Sequence, residues 1–217
     1  IEENDNIRSF SMKKILIAIA FFAFTQSKAQ VTFSPGLKAG YSASNITNLG
    51  TDYRNDFYIG GFGLLKLTEF YNMQFEIMYL RQGAMNYKWN QSQGSNPNFK
   101  KTDIKLNYIS FNFINKFNVK KFNFHAGPGL DIKVSEDPYN YNEVMIGGSP
   151  SFPYESNSPV DLTINLGVGY QITPNLGFDA RMRMGIIEPI YTSGYYFFNG
   201  NSLNKSFLIG LNYTFNN

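Results

Sequence analysis

The feature that most constrains this chain is a two-residue alternation of apolar and polar side chains, renewed in stretches of about ten residues from Val31 onward. In the last stretch Phe207, Ile209, Leu211, Tyr213 and Phe215 share one face, and Leu208, Gly210, Asn212 and Thr214 share the other. Just upstream, Phe178, Ala180, Met182, Met184 and Ile186 alternate with Gly177, Asp179, Arg181, Arg183 and Gly185. A strand sends successive side chains to opposite sides, so one face is wholly apolar and the other is small or charged. The segment from Asp161 to Ile172 repeats the pattern, as does Phe122 to Lys133, where Phe122, Phe124, Ala126, Leu130 and Ile132 oppose Asn123, His125, Gly127, Gly129, Asp131 and Lys133. Pro128 breaks the latter and predicts a bulge or an interrupted ladder bond. Earlier strands are expected at 31–43, 57–67, 73–84 and 104–117. Ile109, Phe111, Phe113 and Phe117 point outward in the fourth, and the faces of the second are ambiguous.

Stretches of this length match what a tilted barrel strand needs to cross hydrocarbon. The connections 44–56, 85–103, 134–160 and 189–202 are long, whereas 68–72, 118–121 and 173–175 are short, and the two classes alternate. That order is expected of a barrel with short periplasmic turns, long outer loops and both termini on the periplasmic side. Closing the sheet removes the edge, where each unpaired backbone group in lipid would cost several kcal/mol. The predicted fold is therefore all-β, an eight-stranded antiparallel up-and-down transmembrane β-barrel of the size that side chains just fill. Composition agrees. Charged residues make up 16%, against about a quarter in soluble domains, yet mean hydropathy is −0.27, as expected when lipid-facing and lumen-facing residues alternate. The 17% aromatic share fits girdles at the two interfaces.

The N-terminus reads as an address. Met12-Lys13-Lys14, the apolar run Ile15 to Phe24 and the exit Thr25-Gln26-Ser27-Lys28-Ala29 have the order of a cleaved signal peptide. The expected organisation is 1–11 as an over-extended or non-native N-terminus, 12–29 as signal peptide and 30–217 as the barrel domain. The chain has no cysteine, which excludes disulfides, thiolate chemistry and a lipid anchor on an N-terminal Cys. The net charge of +3 is too small and dispersed for a nucleic-acid surface.

Lys38, Glu76, His125, Asp131, Asp179, Arg181 and Arg183 fall on the polar faces and are expected to form a paired lumen network, because buried charges need partners. His125 is the one histidine. A hydrolytic role would need a nucleophile and an orienting acid beside it; Ser110 and Asp131 qualify only if barrel stagger brings them there. No catalytic, cofactor or metal pattern emerges, and Glu136, Asp137 and Glu143 lack calcium-loop spacing. The Gly-rich pairs at 60–63, 127–129 and 167–169 lack a following helix and read as relief of crowding in a narrow barrel. The long segment from Val134 to Pro159 carries Tyr139, Tyr141, Phe152 and Tyr154, and the second loop carries Trp89; tyrosine among Asn, Ser and Gly suits a recognition surface.

The stretches Pro35-Gly36-Leu37-Lys38-Ala39-Gly40-Tyr41-Ser42-Ala43-Ser44-Asn45-Ile46, Gly60-Gly61-Phe62, Tyr108-Ile109-Ser110-Phe111-Asn112-Phe113-Ile114-Asn115-Lys116 and His125-Ala126-Gly127-Pro128-Gly129 resemble the PorT-like outer-membrane β-barrel family of Bacteroidetes. Ser110 and Asn112 depart from that family's usual acidic and proline positions. The resemblance implies a Gram-negative outer membrane and no particular task. Expected partners are outer-membrane lipid, the barrel-assembly machinery through the C-terminal strand ending at Phe215, and an envelope protein or surface ligand at the long loops. Three readings follow: a structural or interaction barrel presenting its loops, a narrow pore for small solutes, or a soluble lipocalin-like binder of an apolar ligand. Which face is apolar separates the last from the others, and Met184 is expected near the bilayer midplane.

Overall fold

The computed structural model describes residues 31–90, 99–136, 145–146, 149–150, 155–156, 158–191 and 202–215. Eight strands form a closed barrel: β1 (Thr32–Ile46), β2 (Asp52–Lys66), β3 (Tyr71–Asn90), β4 (Phe99–Val119), β5 (Phe122–Glu136), β6 (Val160–Gln171), β7 (Leu176–Gly185) and β8 (Asn204–Thr214). Each pairs antiparallel with its chain neighbours, and β1 closes the ring against β8 from Gly36–Thr214 to Ile46–Asn204. Two-residue ladders join Met145–Ile146 to Ser149–Pro150 and Glu155–Ser156 to Ile190–Tyr191.

The expected lipid face is exposed along every clear strand, with Leu162, Ile164, Leu166 and Val168 on β6 and Phe207, Ile209, Leu211 and Tyr213 on β8. The ambiguous second strand resolves with Phe57 and Ile59 outward and Tyr58 and Phe62 inward. Exposed Phe33, Phe70, Phe117, Phe122, Tyr170, Tyr213 and Phe215 ring the end that carries the three inner turns. Phe122 and Tyr170 there meet edge-on at 4.9 Å. Tyr41, Tyr53, Phe57 and Phe207 mark the opposite margin.

Strand lengths correct the sequence reading. β3 and β4 run 20 and 21 residues, and β1 and β2 extend until only residues 47–51 separate them. The first outer connection is thus only one residue longer than the inner turn at 67–70, and the alternation of long and short connections fails there. Apolar alternation stops where lipid stops, because beyond it the outward face meets water; the backbone ladder has no such reason to end. The inner turns at 67–70 and 172–175 are each fastened by a threonine hydroxyl: Tyr71 N donates to Thr68 Oγ1 at 2.8 Å and Leu176 N to Thr173 Oγ1 at 3.0 Å.

At Pro128 the second alternative holds. The β4–β5 register passes from Asn112–Gly129 to Asn115–Ala126 without a shift, so the ladder is interrupted and not bulged. A register shift does occur on β3 between Ala84 and Tyr87. Gly83 beside it has φ +137°, and a Cβ there would collide with the Ile104 carbonyl. Gly83→Ala is expected to cost roughly 1–3 kcal/mol, read as a lower urea midpoint for unfolding from lipid vesicles; an unchanged midpoint would show that the backbone at this turn of the sheet is free to relax.

Candidate functional site

The described part of the lumen is filled by side chains. Alternation points Lys38 of β1, Glu76 of β3, His125 of β5, and Asp179 and Arg181 of β7 into one region, where all are buried. Arg181 donates to both Glu76 oxygens, Nη1 to Oε2 at 2.6 Å and Nη2 to Oε1 at 2.9 Å. Lys38 Nζ donates to Glu76 Oε1 at 3.0 Å and Asp179 Oδ1 at 3.3 Å. Gln74 Nε2 adds a 2.6 Å bond to Glu76 Oε1. Two cations and two carboxylates therefore balance, with Glu76 at the centre. Charge-assisted, bidentate bonds are the geometry that best offsets loss of water.

A second cluster surrounds Arg183. Its Nη2 donates to Asp131 Oδ1 at 2.7 Å and Ser110 Oγ at 2.8 Å, and its Nε to Asn165 Oδ1 at 3.0 Å. Asn165 Nδ2 passes the chain to Asn112 Oδ1 at 3.1 Å. Beyond these polar groups lie two apolar clusters, Tyr58, Met78, Leu80 and Leu208, and, toward the outer loops, Ile46, Leu49, Ala84, Tyr87, Ile104, Leu106 and Tyr108.

All seven lumen residues singled out in the sequence face inward and are buried, in two groups. His125 does not meet Ser110 or Asp131, which belong to Arg183. Its Nε2 lies 3.2 Å from Asp179 Oδ2 and its Nδ1 2.9 Å from Asn123 Oδ1. A Cβ at Gly167 would run into His125 Nε2 and one at Gly129 into Asn112 Oδ1, so these glycines make room for polar side chains. Trp89 belongs to β3, but its side chain and Tyr139, Tyr141, Phe152 and Tyr154 lie outside the described residues. Gln74, Gln82, Asn112, Lys116 and Asn204 are buried lumen residues that sequence reasoning passed over; their strand parity was the available signal. Among the described residues no group of His, Asp or Glu could hold a metal ion.

A closed ring of eight alternating strands with a charged interior and an apolar exterior is the architecture of a bacterial outer-membrane barrel. The family described as outer membrane protein beta-barrel domain matches residues 15–215. This chain belongs to that family. It is an outer-membrane β-barrel protein of a Gram-negative bacterium. Among solved structures it is similar to Neisserial surface protein A, at 22% identity over 84% of this chain and 97% of that one, with a TM-score of 0.49. It is also similar to Ail, the attachment invasion locus protein of Yersinia pestis, at 14% identity over 84% and 98%, with a TM-score of 0.46. OprG of Pseudomonas aeruginosa gives 12% identity over 86% and 98%, with a TM-score of 0.48. No curated protein matches the sequence.

Proposed function

We propose that this protein is a non-catalytic, occluded barrel whose membrane-embedded body presents its outer strand extensions and loops to an envelope partner or surface ligand. The observation that carries the reading is the packing of the lumen. The side chains of Glu76, Arg181, Asp131 and Arg183 are no more than 1% exposed, so a water-sized sphere scarcely reaches the charges that a solute would have to pass. An eight-stranded barrel is narrow enough for such filling. The β3–β4 hairpin supports the presenting role, because it carries the sheet well past the lipid-facing residues. Near its outer end the ladder pairs the exposed Lys88 with the exposed Lys101, an arrangement that costs stability and suits an anionic or polar contact. The segment 12–29 is taken as the export signal, and the PorT-like Bacteroidetes resemblance as the finer placement within the family.

The test has two readouts. Purified protein in planar bilayers is expected to give no single-channel conductance above baseline, and a photo-crosslinking amino acid at Lys88 in native cells is expected to yield a discrete adduct. Steady conductance would favour the narrow pore instead. No adduct at Lys88, nor at Lys101, would leave the hairpin without the presenting role.

A further inference from the structure

We propose that the turn end of the lumen, the periplasmic mouth, is a binding site for a phosphate-type oxyanion, anchored on Lys116. A cavity of about 260 Å³ opens there, lined among others by Lys66, Lys120, Lys121, Asn72, Asn123 and Gln171. Lys116 lies behind this lining: the register seats it between Asn72 of β3 and His125 of β5, one step inside Asn118 and Asn123. The side chain faces the lumen and the residue is only 9% exposed. Among the described residues it makes no ion pair. The carboxylates deeper in the lumen, Glu76 and Asp179, are already matched by Arg181 and Lys38, so Lys116 is a surplus charge.

A buried ammonium requires a counter-charge, and the mouth offers little of its own. Among the described residues that line the cavity, Lys66, Lys120 and Lys121 face a single carboxylate, Glu69. Several lysines about one small cavity suit a multiply charged, roughly tetrahedral anion, since lysine acts as a flexible point charge; a planar carboxylate is better served by the arginine fork. The cavity admits a headgroup-sized molecule and not a folded chain. Exposed Phe122 also lines it, which places it at the level of the inner-leaflet headgroups. The phosphate could therefore be carried by a phospholipid or be free in the periplasm.

The experiment uses the full chain refolded in octyl glucoside, which contains no phosphate. Thermal midpoints are compared in sodium phosphate, in sodium chloride of equal ionic strength and with short-chain phosphatidylglycerol. Phosphate, lipid-borne or inorganic, is expected to raise the midpoint saturably where chloride does not. A stronger response to the lipid at equal concentration identifies the headgroup as the source, and an equal response identifies the soluble anion. Lys116→Met should abolish the response while melting no lower than the parent without phosphate, because it removes an unpaired buried charge. Lys120→Gln with Lys121→Gln, on an exposed turn, should weaken the half-saturating concentration by about tenfold, the loss of one charge-assisted bond. Equal responses to phosphate and chloride, or an undiminished response in Lys116→Met, would overturn the site.

Discussion

Glu76→Ala is expected to be the most damaging single substitution in the lumen, at about 3–5 kcal/mol, the cost of leaving the other half of a buried ion pair unmatched. Glu76 receives both arms of Arg181 and the Lys38 ammonium. Without it, two buried cations would share Asp179, whose contacts to them are the longer ones at 3.3 and 3.4 Å. Gln74 Nε2 would also lose its acceptor. The measurement is equilibrium urea unfolding from lipid vesicles, with gel mobility before and after boiling to report the folded fraction. If net charge is the cause, pairing Glu76→Gln with Lys38→Met restores one cation to one carboxylate and should recover a large part of the loss. Loss of packing alone would leave that double variant as weak as the single one. An unfolding midpoint for Glu76→Ala indistinguishable from the parent would show that water enters the lumen freely, and the occluded reading would fall with it.

The same cluster shows what a linear sequence can and cannot convey here. That Glu76 and Arg181 face inward follows from parity alone, since Ile77 and Met182 beside them face lipid. That they meet across 105 residues depends on barrel stagger, which parity does not encode. Ser110 and Asp131 illustrate the converse: both share a polar face with His125, yet stagger delivers them to Arg183. Lys116 was equally readable by parity, but that it makes no ion pair among the described residues emerges only once the other pairs are assigned. At the outer end the limit is different. Tyr87, Lys88, Lys101 and Thr102 continue the ladder without apolar alternation, because there is no lipid outside them to require it, so the pattern marked the membrane's thickness and understated the strands.

That distinction also locates the residue at which a charge should be least tolerated on the outer face. Met184 stands opposite Lys205 across the β7–β8 ladder, and Lys205 Nζ lies 5.3 Å from the Phe207 ring, so Met184 belongs to the outer margin and not to the midplane. Leu166 is central: it pairs with Ala126 on one side and Met182 on the other, midway along the apolar run from Val160 to Ile172, and is 50% exposed. Leu166→Arg is therefore expected to destabilise the barrel by about 2–4 kcal/mol in lipid, and Met184→Arg by about 0–1 kcal/mol, following the depth dependence of arginine on a barrel's lipid face. Urea unfolding of the two variants from the same vesicles measures the difference. A soluble barrel with water outside Leu166 would accept the arginine at little cost, because exposed surface substitutions away from special features usually change stability by no more than about 0.5 kcal/mol. Equal midpoints for Leu166→Arg, Met184→Arg and the parent would thus revive the lipocalin-like alternative. A graded loss, large at Leu166 and small at Met184, would fix both the solvent outside the barrel and its depth along β6 and β7.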